Sequence, residues 1–215
     1  AGDSALAQAR SLDGLLAAGT DLGPLMGVPV AVKDLFVVKG MPTTAGSNLN
    51  VDGLAGDEGQ FVSMLKRAGC VILGKTKTVE FAMGGTGVNL VRGTPWNPWD
   101  ALTHRIPGGS SSGSAVAAAA GLCAFAIGTD TGGSVTIPAF SGIFGLKTTK
   151  GRWPTNGVVP LCRTLDTIGP ITMSASDAAA VFSALTGIST PVAAQPRGVR
   201  LGKPTTHFFN DLDQD

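Results

Sequence analysis

Residues 107–138 constrain this chain more than any other stretch. They open Pro-Gly-Gly-Ser-Ser-Ser-Gly-Ser-Ala and close Gly-Thr-Asp-Thr-Gly-Gly-Ser-Val-Thr-Ile-Pro, with an alanine-rich segment between. That segment, residues 115–127, is too apolar for a linker and too short to span a bilayer, so it must be buried. It divides into a small-residue helix, starting at Ser112 or Ser114 and reaching Ala120, and a buried strand over 125–128. Two flexible clusters mounted on buried elements are the form that reactive loops take.

The rest of the chain repeats that alternation. Leucines and alanines at helical spacing over 5–18, ended by Gly19, predict a helix. Both parities of 28–32 are apolar, as in a strand buried on both faces, and it delivers Lys33 at its C-terminal end. A second short strand is expected over 35–38. Asp57 followed three positions later by Gln60 reads as a helix start, with the helix running to Gly69 and a strand over 70–73 after it. Residues 84–113 form a long loop, functional or packed by its own side chains, with Trp96, Trp99 and His104 read as anchors; Phe81 and Met83 are expected in the core, and Trp153 as another anchor. Weaker strand signals lie over 142–146 and 158–161. Ser174 with Asp177 starts a helix over 178–185 that Gly187 ends. Helices alternating with buried strands give an α/β protein.

After Gly187 the texture turns to Ser, Thr, Pro, Ala and Gln, with one strand-like piece over 199–201. Residues 1–187 are therefore read as one core and 188–215 as a linker leading to a further part. The chain is expected to lack residues at both ends.

A net charge of +1 with no Lys/Arg run leaves no footprint for direct nucleic-acid or membrane binding. Cys70, Cys123 and Cys162 are far apart among apolar neighbours and read as reduced core thiols of a cytoplasmic protein. With only His104 and His207 and no Cys-x-x-Cys, neither metal nor cofactor is expected. Residues 69–76, Gly-Cys-Val-Ile-Leu-Gly-Lys-Thr, satisfy the phosphate-loop pattern literally and make a nucleotide-binding module an alternative. The pattern needs a strand before its first glycine and a free loop within it. Here 70–73 is itself the strand, so its amides go to sheet pairing and Lys75 and Thr76 leave a strand end.

A hydrolase needs a nucleophile, a base and donors for an oxyanion. Ser134 follows Thr131-Gly132-Gly133, where absent side chains let backbone amides converge, just beyond a strand end. Ser110 follows Gly108-Gly109. Lys33, buried at another strand end, is held toward its neutral form and is able to take a proton directly or through a second serine. The expected relay runs from Ser134 through Ser110 to Lys33.

Three stretches, 27–34 (Gly-Val-Pro-Val-Ala-Val-Lys-Asp), 107–115 and 128–134, resemble the signature stretches of the amidase signature family, and the serine spacing, 134 − 110 = 24, agrees. The resemblance covers about residues 5–185, including Gly74-Lys-Thr-Lys, Asn97-Pro98, Gly145-Leu-Lys147 and Leu165-Asp-Thr-Ile-Gly169. It implies the amidase-signature fold, a mixed sheet core flanked by helices, and hydrolysis of a small linear carboxamide without cofactor. It further implies Ser134 as nucleophile, Ser110 as bridge after a cis Gly109–Ser110 peptide, Lys33 as base, and an oxyanion hole from the amides of Thr131, Gly132, Gly133 and Ser134. Ser111 would support Lys33 or Ser110. The same motifs also resemble the A chain of a tRNA-dependent amidotransferase, which works with partner subunits. Members commonly carry arginine two residues after the nucleophile, where this chain has Thr136, so Asp130 is expected to turn to Arg152 or to backbone amides.

Overall fold

The computed structural model describes residues 2–189 and 198–205. His207, most of the expected linker and the charged tail lie outside them. One five-stranded sheet organises the fold: β1 (Pro29–Lys33), β2 (Val71–Thr76), β3 (Phe125–Asp130), β4 (Phe144–Gly145) and β5 (Thr167–Thr172), in the order β2-β1-β3-β5-β4. β2, β1 and β3 run parallel, and β5 is antiparallel to both β3 and β4, so the sheet is mixed. Parallel pairing brings the C-terminal ends of β1, β2 and β3 to one edge, placing Lys33 beside Thr76 there, with Asp130 at the end of β3.

The helices are α1 (Gly2–Ala17), α2 (Gln60–Arg67), α3 (Ser112–Ala119) and α4 (Ala175–Thr186). One face of the sheet packs Val30, Val32, Phe125, Ile127 and Ile168 against Phe61 and Leu65 of α2, Val181 of α4, and Trp153. The other packs Ala31, Ala126 and Ile171 against Ala115, Ala117 and Ala118 of α3. Alanine makes this second layer thin: the small α3 side chains let helix and sheet approach closely enough for Ser114 Oγ to donate to the Ile127 carbonyl at 2.9 Å.

The two flanking helices contrast in how they begin. Ser174 caps α4 by accepting the Asp177 amide at 3.1 Å, and Gly187 ends it in the left-handed region. At α2 the cap is Gly59, without a side-chain bond, and not Asp57 as expected. The Asn156 carbonyl occupies the space a Gly59 Cβ would take, so backbone packing sets that entry.

Residues 35–38 are not a sheet strand. Phe36 bridges Val158 and Val38 bridges Met41 in isolation, and their apolar character serves the core. The 158–161 signal reduces to the same bridge, and 199–201 is not a strand. β5 carries no strand signal in the sequence because Gly169-Pro170 interrupts it. An antiparallel strand tolerates proline where the missing N–H is not needed, and the Pro170 carbonyl still accepts Leu146 N at 3.0 Å.

Candidate active site

β1 carries Lys33 into the protein with no exposed surface. Its Nζ donates to Ser110 Oγ at 2.8 Å and to Thr129 Oγ1 at 2.9 Å. Burial pulls the ammonium pKa from 10.5 down to about 7 despite the opposing fields of Asp130 and Asp166. A lysine in this setting exchanges protons near neutrality.

The segment before α3 supplies the second group. The Gly109–Ser110 peptide is cis. Gly109 N donates to Gly85 O at 2.7 Å, while the Ser110 carbonyl accepts Val79 N at 3.1 Å and Thr78 Oγ1 at 3.0 Å. These bonds fix the backbone and leave the Ser110 side chain to Lys33. Ser111 differs from expectation: it touches neither Lys33 nor Ser110 through its hydroxyl. Its Oγ donates to the Thr129 carbonyl at 3.2 Å and its amide to the Ser134 carbonyl at 3.3 Å, tying the two serine loops and β3 together. Gly128 makes this possible, since a Cβ there would lie 2.6 Å from Ser111 Oγ. Gly128→Ala is expected to cost about 1 to 3 kcal/mol by overpacking, with turnover falling further than the lost stability explains; urea unfolding beside steady-state kinetics measures both.

Asp130, fully buried, shapes the loop beyond β3. Its carboxylate accepts Gly133 N and Val135 N, each at 2.8 Å. Backbone amides thus take the place that Arg152 was a candidate for; Arg152 lies over the Phe182 ring instead. The Gly133 amide is committed to Asp130 rather than open to a ligand, so the expected set of four donors is reduced. The amides of Thr131, Gly132 and Ser134 make no hydrogen bond among the described residues. Ser134 Oγ is likewise unbonded there and is not among the sealed polar atoms. Thr136 donates its hydroxyl to the Gly133 carbonyl at 3.2 Å.

Two further contributors carry no role that the sequence makes visible. Thr129 lies inside one of the signature-like stretches, but only the pairing of β1 with β3 brings its hydroxyl to Lys33. Asp166 accepts Thr131 Oγ1 at 2.6 Å, Cys162 N at 2.9 Å and Leu161 N at 3.1 Å. Its position in Leu165–Gly169 is the available signal.

Other candidates resolve structurally. His104 stacks on Trp96 at 4.3 Å between centroids, and Trp99 Nε1 donates to Ser141 O at 2.6 Å, so all three anchor the loop. Trp153 packs on Phe61. Met83 is exposed, not core, whereas Phe81 packs against the core. Lys75 lies within β2, paired with Asp34 at 2.7 Å, which leaves the literal phosphate-loop pattern without its loop. Cys70 and Cys123 are buried, but Cys162 is partly exposed beside Thr164. Among the described residues no three His, Cys, Asp or Glu cluster as metal ligands, and no helix is long and apolar enough to cross a membrane.

The Amidase family model matches residues 1–210. The chain is 48% identical to 2-amino-5-chloromuconic acid deaminase of Comamonas testosteroni, over 99% of this chain and 47% of that protein. It is 44% identical to the A chain of the glutamyl-tRNA(Gln) amidotransferase of Prochlorococcus marinus (strain AS9601), over 99% and 43% respectively. A crystal structure of an amidase superposes with a TM-score of 0.82 at 42% identity, covering 90% of this chain and 44% of that one. The native peptide amidase from Stenotrophomonas maltophilia gives 0.75 at 36%, covering 94% and 42%. The chain spans about half the length of the curated relatives it matches.

Proposed function

Because the chain belongs to the amidase family, we propose that residues 1–187 carry a catalytic core hydrolysing the C–N bond of a small linear carboxamide through an acyl-enzyme on Ser134, with 188–215 leading to a further part of the protein. The observation that carries this reading is the fully buried Lys33, 2.8 Å from Ser110 Oγ and with its pKa lowered to about 7.

Charged Lys33 donates to both Ser110 and Thr129. Once neutral, it keeps one donor for Thr129 and turns its lone pair toward the Ser110 hydroxyl across the same contact. Ser134 Oγ attacks the amide carbonyl as its proton passes to Ser110 and the Ser110 proton to Lys33. The oxyanion meets the unspent amides of Thr131, Gly132 and Ser134. Collapse breaks the C–N bond, the proton returns through Ser110 to the departing amine, and water releases the acyl group by the same route. The missing Ser134–Ser110 hydrogen bond is consistent with a free site, where such contacts often tighten only around substrate.

Incubating the full-length protein with a panel of linear carboxamides and a fluorophosphonate probe tests this. Ammonia or amine release without tRNA or ATP, and mass-spectrometric labelling at Ser134, are expected. Release only with tRNA, ATP and added partner subunits would favour the amidotransferase reading that the Prochlorococcus relative suggests. Neither release nor labelling under any condition would overturn catalysis.

A further inference from the structure

We propose that Asp166 is a positioning residue of this centre, holding the oxyanion-side loop through Thr131 and facing Thr129, the second partner of Lys33, across a small cavity. The inference rests on the role of Lys33 and Ser134 given above.

Asp166 sits immediately before β5, and its carboxylate joins the segment that leads into that strand to the loop beyond β3. One oxygen accepts Thr131 Oγ1 and Cys162 N, and the other accepts Leu161 N. Loop capping alone explains the bonds to 161 and 162. It does not explain the bond to Thr131, at the start of the nucleophile loop, 35 residues away in sequence. Lys150 Nζ donates to the Asp166 carbonyl at 2.9 Å and steadies the backbone from the outside.

Thr129, Thr131, Asp166 and Thr167 line one cavity of about 10 Å³, room for about one water. The carboxylate therefore acts on the relay in two ways. It fixes Thr131, whose amide is an unspent donor, and it places a negative charge behind the Lys33–Thr129 contact. The charged groups around Lys33 are few: Asp130 on β3, Asp166 before β5, and the Asp34–Lys75 pair at the ends of β1 and β2, while α3 carries none. Beside Asp166 itself stand Lys150, Arg163 and the Cys162 thiol.

Asp166→Asn keeps the size and one acceptor but removes the charge. In the full-length protein, kcat should fall by about 10- to 100-fold through misplacement of the loop, with KM little changed. The acid limb of the kcat profile should move to lower pH, because Asp166 favours charged Lys33. Thr131→Val should reproduce the loss in kcat without moving the limb, and Thr131→Ser should recover it; this pair keeps the test decisive should Asp166→Asn fold poorly. Unchanged kcat in both Asp166→Asn and Thr131→Val, or a loss in Asp166→Asn with the limb unmoved, would overturn the inference while leaving the relay standing. Wild-type turnover by Lys33→Ala in the same assay would instead overturn the relay itself.

Discussion

Ser134→Ala should lower amide turnover by at least about four orders of magnitude, as loss of a serine nucleophile does elsewhere, while the protein stays folded. Both halves follow from the same geometry. Ser134 Oγ makes no hydrogen bond among the described residues, so removing it leaves no buried partner unsatisfied. No neighbouring hydroxyl replaces it: Ser110 is fully buried against Lys33, and Ser111 Oγ is spent on the Thr129 carbonyl. Melting temperature should therefore shift little, and substrate binding should persist, since the free amides of Thr131, Gly132 and residue 134 are main-chain groups. Single-turnover kinetics with a chromogenic amide, beside a thermal melt, measure the two effects. Substantial residual hydrolysis would move the nucleophile elsewhere.

How much of this is written in the sequence depends on the range of the interaction. Lys33, Ser110 and Ser134 are legible because each sits on a local pattern: a strand buried on both faces, a glycine pair, and a glycine-rich strand end. The caps of α4 are legible for the same reason, since Ser174, Asp177 and Gly187 act on groups close to them in the chain. Thr129 and Asp166 are not, because their contacts with Lys33 and Thr131 exist only after β1 pairs with β3 and the segment before β5 folds back on the loop beyond β3. Gly133 shows the limit within a local motif. Its composition suggests an oxyanion donor, yet Asp130 three residues earlier takes its amide, a choice made by loop conformation. β5 stays hidden because glycine and proline punctuate a sequence even where an antiparallel ladder absorbs them.

Lys33→Met should abolish turnover and at the same time remove the rise in stability that wild type shows between about pH 7 and 10.5. Methionine approximates the length of the lysine stem and removes its charge, and among the described residues Ser110 Oγ hydrogen-bonds to no other basic side chain. The stability change has a definite sign and pH window. The folded-state pKa of about 7 lies below the ordinary 10.5, so between these values the unfolded chain binds more protons and stability rises with pH. Below about 7 the native state carries the full cost of a buried ammonium, on the order of 5 kcal/mol at about 1.4 kcal/mol per pH unit. Against this, the variant loses two hydrogen bonds, to Ser110 and Thr129, at about 1 to 3 kcal/mol for each buried hydroxyl left unpaired, a sum of similar size to the charge cost. The lost bonds cost the same at every pH and the charge cost does not, so Lys33→Met should compare with wild type better at pH 6 than at pH 10.5, by about 5 kcal/mol. That relative gain should shrink steadily toward pH 10.5, where wild-type Lys33 no longer loses a proton on folding. Urea denaturation of both proteins across that range reads the difference directly. A gap independent of pH would mean that Lys33 stays charged in the folded protein, and a permanently charged lysine cannot accept the Ser110 proton.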